Sequence, residues 1–329
     1  MKKVAFIGGG AWGGALAIAC ANAGRDVIVW DRSLEVVASI NNQKRFPAHP
    51  DVILSNKISA TNNIENLKGA DAFFITTSIA GARDVLAQMK DIIGKKPVVM
   101  TSKGLELSTG LLAFQVAQEF LGETAKIALL AGPNFAHDIA RGKISTTVIF
   151  SKQKAISKAL AEAIACDFFR PYQSTDIIGG SICGVVKNII AIAAGISDGM
   201  GLGENARAAI ITRGLAEMSR LVLKMGGKKE TVMGLAGVGD LFLTASSMKS
   251  RNYSLGFGIG QGQTVEEIMA TRSATTEGLL SASAIQILAN KFQIEMPLST
   301  AVNTIVSSNI SPTEIVKQLM TRPLKKEQD

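Results

Sequence analysis

Aromatic residues make up only 5% of the 329-residue chain. That is too few for a surface on which successive bases stack, so no nucleic-acid partner is expected. Cysteine is scarce too. Cys20, Cys166 and Cys183 lie far apart in sequence, in apolar contexts and without a CxxC pair. An odd count argues against a disulfide framework. Buried thiols in a reducing cytoplasm are the expectation. The two histidines, His49 and His137, have no ligand cluster beside them. Both read as incidental surface residues, and no metal is expected. No uncharged apolar run reaches the roughly 18 residues that suggest a bilayer span, so no transmembrane segment is expected. Met1-Lys2-Lys3 leads straight into a short apolar strand, where a secretory signal needs a longer apolar region and a cleavage site.

What is present is a globular composition, 47% hydrophobic and 19% charged. The length suggests two domains. The net charge is +8, which fits an anionic ligand or plain solubility.

The first half alternates strand and helix signals. Lys3 to Gly8 is a short apolar run. Gly8, Gly10 and Gly13 follow as G-x-G-x-x-G, with Ala11 and Trp12 inside the motif, and then comes the helical stretch from Ala15 to Gly24. A second strand, Asp26 to Trp30, ends in Asp31-Arg32. A glycine motif between strand and helix, in a βαβ unit of about 30 residues, is the context that marks a dinucleotide site. Gly8 permits the turn, Gly10 admits a pyrophosphate and Gly13 lets helix and strand pack closely. The phosphates then meet the positive end of the helix. An acid at Asp31 normally takes the ribose hydroxyls of NAD, whereas Arg32 can hold the extra phosphate of NADP. The sequence leaves both open.

Further apolar strands end in Thr76-Thr77-Ser78, in Thr101-Ser102-Lys103-Gly104 and in Gly132-Pro133-Asn134. Open α/β sheets bind ligands beyond the carboxyl ends of their strands. Lys103 therefore points where a phosphate or carbonyl would lie, although a solvated loop lysine is the alternative.

After residue 176 strand signals give way to long helical periodicity. The stretch from Gly179 to Ile196 is apolar nearly all round and reads as a buried helix. Lys187 and Asn188 sit in its middle. A buried ammonium is costly unless satisfied, and a packed stem with its head in solvent is an equal reading. Asp240 follows Gly237-Val238-Gly239 at the position of a helix cap. Ser250-Arg251-Asn252, at a helix start, is either a polar turn or a phosphate site built from a guanidinium fork and an amide. Glu277 sits in the first turn of another helix. The fold expected is an α/β N-terminal Rossmann-type doubly wound sheet over 1–176, followed by an all-α C-terminal domain over 177–329.

Several motifs occur in order: the glycine loop with Trp12, Thr101-Ser102-Lys103-Gly104-Leu105-Glu106, Ala131-Gly132-Pro133, Gly184-Val185-Val186-Lys187-Asn188, Ile211-Thr212-Arg213-Gly214-Leu215-Ala216-Glu217-Met218, Gly237 to Asp240, and Ser250-Arg251-Asn252. Together they resemble the bacterial NAD(P)-dependent sn-glycerol-3-phosphate dehydrogenase family over nearly the whole chain. The resemblance implies reversible reduction of dihydroxyacetone phosphate to sn-glycerol 3-phosphate with NAD(P)H, feeding glycerophospholipid synthesis in the cytoplasm, by an enzyme that is often a homodimer. It places the proton donor or acceptor on Lys187, with Lys103 as a second positive group and Asp240 as the orienting carboxylate. Substrate contacts fall on Lys103, Gly132, Lys187, Asp240, Ser250, Arg251 and Asn252, with Asn188 and Thr244 in the same pocket. Asn134 stands where the family usually has Ser or Thr. Cofactor contacts fall on Trp12, Arg32, Lys103, Ala136, Arg251, Thr275 and Glu277, beside Gly8, Gly10, Gly13 and the backbone of Ala11, which stands where the family often has Ser.

Two rivals remain at this stage. One is a dehydrogenase of the same architecture acting on a β-hydroxy acid or ketopantoate, against which the Ser250-Arg251-Asn252 cluster speaks. The other is a non-catalytic NAD(P)-sensing regulator, for which no DNA-binding module is visible.

Overall fold

The computed structural model describes residues 1–272, 276–308, 310–324 and 326. It divides into two compact units. The first comprises Met1–Gly184 with Val222–Asp240, and the second Val185–Leu221 with Leu241–Asp329.

The first unit is built on one sheet. Its strands are β1 (Lys3–Ile7), β2 (Asp26–Trp30), β3 (Ile58–Thr61), β4 (Ala72–Ile75), β5 (Val98–Met100), β6 (Ile127–Ala131), β7 (Ser145–Phe150) and β8 (Phe169–Ser174). They lie in the order β3-β2-β1-β4-β5-β6-β7-β8. All pairs are parallel except β6 with β7. The helices are α1 (Ala11–Asn22), α2 (Leu34–Ala38), α3 (Ile79–Ile93), α4 (Ala113–Leu121), α5 (Ala136–Ala140) and α6 (Lys154–Ile164). Central strands such as β4 and β6 are buried throughout. They read as unbroken apolar runs because helices cover both faces of a parallel sheet. Phe6 and Phe74 stack across β1 and β4, with ring centroids 4.8 Å apart. The order reverses between β1 and β4, and such a switch point is where this class of sheet leaves a crevice for ligands.

From residue 177 the chain is helical: α7 (Ile177–Gly199), α8 (Glu204–Lys224), α9 (Lys229–Val232), α10 (Asp240–Ala245), α11 (Arg251–Gly260), α12 (Val265–Ala270), α13 (Glu277–Phe292), α14 (Pro297–Ser308) and α15 (Pro312–Met320). Helix α7 is long and apolar enough to cross a bilayer, but 89% of its apolar window is buried inside the protein. Asp176 caps the start of α7 by accepting from Gly179 N at 2.9 Å, and its other oxygen takes Lys228 N and the Thr231 hydroxyl.

Within the second unit, α7 and α11 touch backbone to backbone. A Cβ on Gly195 would lie 2.1 Å from Tyr253 O, and one on Gly256 would lie 2.1 Å from Ile192 O. Only a glycine seam permits that approach, which fixes the register of α11 on α7. Asp198 reinforces it, accepting from Arg207 at 2.7 Å and from the Tyr253 hydroxyl. Buried Glu217 on α8 holds the start of α14 through Leu298 N, Ser299 N and the Ser299 hydroxyl. Burial raises the Glu217 carboxyl above the usual range, against the pull of those donors.

Candidate active site

The glycine loop joins β1 to α1. Gly8 adopts φ +113°, a region that favours glycine. A Cβ on Gly13 would lie 2.0 Å from Gly8 O, so no larger residue closes this loop. Gly10 is different: nothing lies within 4 Å of a Cβ built there. The loop therefore has a closed inner side and an open outer side, at the N-terminus of a 12-residue helix. Thr76, just past β4, donates its hydroxyl to Ile7 O and Gly8 O at 2.8 and 2.9 Å. Trp12 Nε1 and Thr77 Oγ1 are among the buried polar atoms of this unit that have no protein partner. Open space at Gly10, unpaired helix amides and these orphaned groups fit a dinucleotide. Ala11 and Trp12 open α1 and Ala136 opens α5.

Asp31 is turned to the protein. Its Oδ2 accepts from Gly9 N at 2.7 Å and its Oδ1 from Ser33 N at 2.9 Å. The side chain that the sequence offers as a ribose acceptor thus braces the glycine loop. Arg32 next to it is exposed.

His49, expected at the surface, is buried at 2% exposure. The turn that pairs Phe46 with His49 tucks beneath α1, where the Phe46 ring leaves no room for a Cβ on Gly14. His49 Nε2 lies 2.8 Å from Ala11 O, which fixes the proton on that nitrogen. Burial, and then the nearby Arg141 charge, hold its pKa below the ordinary value. His137 is exposed. Among the described residues no group of three or more His, Cys, Asp or Glu is placed to hold a metal.

The second cluster of the first unit lies beyond β5 and β6. Lys103 Nζ sits 2.7 Å from Asp240 Oδ2 and 3.2 Å from Gly132 O. Asp240 is 1% exposed. It is the first residue of α10, and its carboxylate is spent on the lysine as well as standing in the helix's first turn, where negative charge is favoured. Gly184 of α7 lies against the Lys103 stem, which a Cβ there would meet at 3.5 Å, an ordinary packing distance. Asn134 donates its amide to Pro133 O at 2.9 Å and Thr146 O at 2.7 Å, which occupies both donors and leaves its buried Oδ1 without a partner.

In the second unit Lys187 is 5% exposed, and its Nζ lies 2.9 Å from the Thr244 hydroxyl. Neighbouring Asn188 is 3% exposed. The head is thus inside the protein, which removes the reading of a lysine reaching solvent. Ser250 caps α11 by accepting from Tyr253 N. Arg251 is the exposed first residue of that helix. Asn252 Oδ1 accepts from Gly278 N at 3.0 Å, so the side chain caps α13, beside its first residue Glu277. Thr275 lies outside the described residues.

Sequence reasoning missed Arg272. It donates to Arg251 O at 2.7 Å and to the Ser254 hydroxyl at 3.0 Å. Burial and the like charge of Arg251 lower its pKa. Nothing local marks it, because its partners lie on α11, 18 and 21 residues away. Sequence reasoning likewise missed the pairing of Arg83 with Glu106.

A dinucleotide-type α/β unit with a glycine loop, joined to helices that bury a lysine, defines the class of NAD(P)-linked dehydrogenases with a helical second half. Family models sharpen this. Residues 3–157 match the NAD-dependent glycerol-3-phosphate dehydrogenase N-terminus, and residues 176–317 match its C-terminus. The chain is 43% identical over 328 residues to the glycerol-3-phosphate dehydrogenase [NAD(P)+] of Parvibaculum lavamentivorans, covering 99% of this chain and 98% of that one. It is 42% identical over 330 residues to that of Rhodospirillum rubrum, covering 99% and 94%. The crystal structure of glycerol-3-phosphate dehydrogenase from Coxiella burnetii superposes with a TM-score of 0.92 at 35% identity, covering 98% of this chain and 99% of that one. The chain belongs to the NAD-dependent glycerol-3-phosphate dehydrogenase family.

Proposed function

We propose that this chain catalyses the reversible, NAD(P)H-dependent reduction of dihydroxyacetone phosphate to sn-glycerol 3-phosphate. The observation that carries the reading is the buried Lys187 ammonium on the Thr244 hydroxyl, in a chain whose relatives bear this activity's name. A charge is kept inside a protein at a cost of several kcal/mol only where it is used or fully paired.

When bound, the nicotinamide supplies the hydride that the ketone carbon accepts. Negative charge then develops on the carbonyl oxygen. Lys187 Nζ stabilises that charge and delivers the proton, a role that a buried donor fills without solvent reorganisation. Thr244 orients the ammonium. Lys103 is the second positive group, aimed by Asp240 and the Gly132 carbonyl. Ser250, Arg251 and the Asn252 amide bind the phosphate, with Arg272 bracing the Arg251 backbone. The substrate contact at Asn134 falls to its unpartnered Oδ1, since its donors serve the main chain. Asn188 completes the polar lining. The glycine loop, Trp12, Arg32, Ala136, Thr275 and Glu277 hold the cofactor.

The same reading assigns the work to a dinucleotide domain over 1–176 and a substrate domain over 177–329. It makes the protein a cytoplasmic homodimer supplying glycerophospholipid synthesis. Three free thiols support a reducing compartment. The deciding experiment follows NADH and NADPH oxidation side by side with dihydroxyacetone phosphate, ketopantoate and a β-keto acid. Turnover confined to the ketone phosphate is the expected result. Preference for a carboxylate substrate, or no oxidation with any of the three, overturns the proposal.

A further inference from the structure

Lys103 is carried by the segment 101–112 between β5 and α4, which contains neither strand nor helix. Such a segment places a side chain accurately only if something else fixes its backbone. Within it, Glu106 N donates to Leu111 O and Gly110 N to Glu106 O, which folds the segment back at Glu106. The Glu106 side chain turns inward and is 8% exposed. Arg83 of α3 meets it as a fork, Nε on Oε1 at 2.8 Å and Nη2 on Oε2 at 2.7 Å. The Thr109 hydroxyl adds a bond to Oε2 at 2.6 Å. Arg83 Nη2 also reaches Glu119 of α4 at 2.7 Å, and its guanidinium lies 5.4 Å from the centre of the Phe120 ring. A two-pronged guanidinium–carboxylate pair fixes direction as well as distance. The Arg83 fork, more than any other group, holds the Glu106 carboxyl below the usual carboxylate range.

The same face of α3 grips the segment a second time. Ile79 lies four residues before Arg83 and therefore on the same side of the helix. A Cβ on Gly104 would meet Ile79 Cγ2 at 3.1 Å. One face of α3 thus presses on Gly104, directly after Lys103, and clamps Glu106 two residues further on.

We propose that Arg83 and Glu106 are positioning residues for Lys103. They fix the backbone that aims Nζ at Gly132 O and Asp240, without touching either. The proposal rests on the role given to Lys103 under Proposed function. It predicts that loosening the clamp lowers turnover while leaving the glycine loop alone.

The test compares Arg83→Met, Arg83→Lys, Glu106→Gln, the Arg83→Met/Glu106→Gln pair and Lys103→Met in the full chain. Turnover, KM for dihydroxyacetone phosphate, cofactor Kd by nucleotide fluorescence and thermal midpoint are read for each. Arg83→Met and Glu106→Gln should each lower kcat by about 10- to 100-fold, the scale of an ångström-sized misplacement. Cofactor Kd should rise by a much smaller factor than kcat falls, since neither residue touches the glycine loop and Lys103 is only one of the contacts the family resemblance gives the cofactor. The pair should be no worse than the poorer single variant, because the two residues act as one device. Arg83→Lys, which keeps the charge but loses the fork, should recover part of the loss. If Arg83→Met does not fold, the near-isosteric Glu106→Gln carries the test. Wild-type kcat in Glu106→Gln while Lys103→Met is impaired overturns the positioning role alone. A fall in cofactor affinity equal to the fall in kcat overturns it as well. Wild-type turnover in Lys103→Met overturns the underlying reading of Lys103 instead.

Discussion

Asp240 Oδ2 lies 2.7 Å from Lys103 Nζ across 137 residues of sequence. The carboxylate is almost wholly buried and the lysine keeps a small exposed area. Asp240→Ala removes a hydrogen bond between charged groups from the Lys103 ammonium. We expect a loss of about 1.5–3 kcal/mol of stability, read by denaturant unfolding. Asp240→Asn should keep most of the stability and still lower kcat, because the amide holds the position but not the charge.

For Lys187 the expectation concerns the chemical step. Lys187→Met keeps the apolar stem and deletes the proton carrier. Single-turnover hydride transfer should slow on the order of 10²- to 10⁴-fold, the range for a lost acid–base group. NADH and NADPH should bind as in the parent. A mutant that transfers hydride at the parental rate would remove Lys187 from the mechanism.

The glycine loop allows two matched substitutions to be told apart. Gly10 adopts φ −69° with open space where a Cβ would go, so Gly10→Ala should unfold at the parental temperature. It should nevertheless weaken nucleotide binding, since the added methyl group occupies the ground a pyrophosphate approaches. Gly13→Ala drives a methyl group into Gly8 O and should lower both affinity and thermal midpoint. Equal behaviour of the two variants would mean that the open side of the loop is not the phosphate side.

The α7–α11 seam gives a purely structural prediction. Gly256→Ala puts a Cβ 2.1 Å from Ile192 O, with backbone on the far side that cannot swing away. Overpacking of this kind costs typically 1–3 kcal/mol. A thermal midpoint unchanged from the parent would show that the two helices separate more easily than their contact implies.

His49 introduces a pH dependence whose sign follows from its burial. Its folded pKa lies below the unfolded value of 6.5, so between the two the unfolded chain binds more protons. Stability therefore rises with pH through that window, and the His49 contribution is lost as pH falls through the folded value. Protonation would also place a hydrogen on Nδ1, a buried atom with no acceptor. His49→Gln should flatten the acid side of the thermal midpoint profile below the unfolded value of 6.5. An acid limb as steep as the parent's would assign it to other groups.

Much of this protein was legible from local pattern. Apolar runs of strand length and glycines at 8, 10 and 13 specify a strand, a turn and a helix, because those choices depend on neighbours in sequence. The apolar helix α7 and the lysine in its middle were likewise written locally. The sequence did not show which way charged and polar side chains turn. Asp31 and Arg32 left the ribose contact open, and only the fold shows Asp31 accepting from Gly9 N and Ser33 N. His49 read as a surface residue and is buried beneath α1. Arg83 and Arg272 carried no signal, and Glu106 stood in a motif without its partner being legible, since a guanidinium is given its meaning by the carboxylate or carbonyl it meets.

The sequence by itself therefore determined the sheet, the helices and the kind of ligand the first turn admits. Only the tertiary structure decided that Lys103 answers to Asp240, Lys187 to Thr244 and Glu106 to Arg83. The physical reason is range. Backbone preference and hydrophobic period act over a few residues, whereas a charge is stabilised by whichever partner the fold brings within about 3 Å, at any separation along the chain.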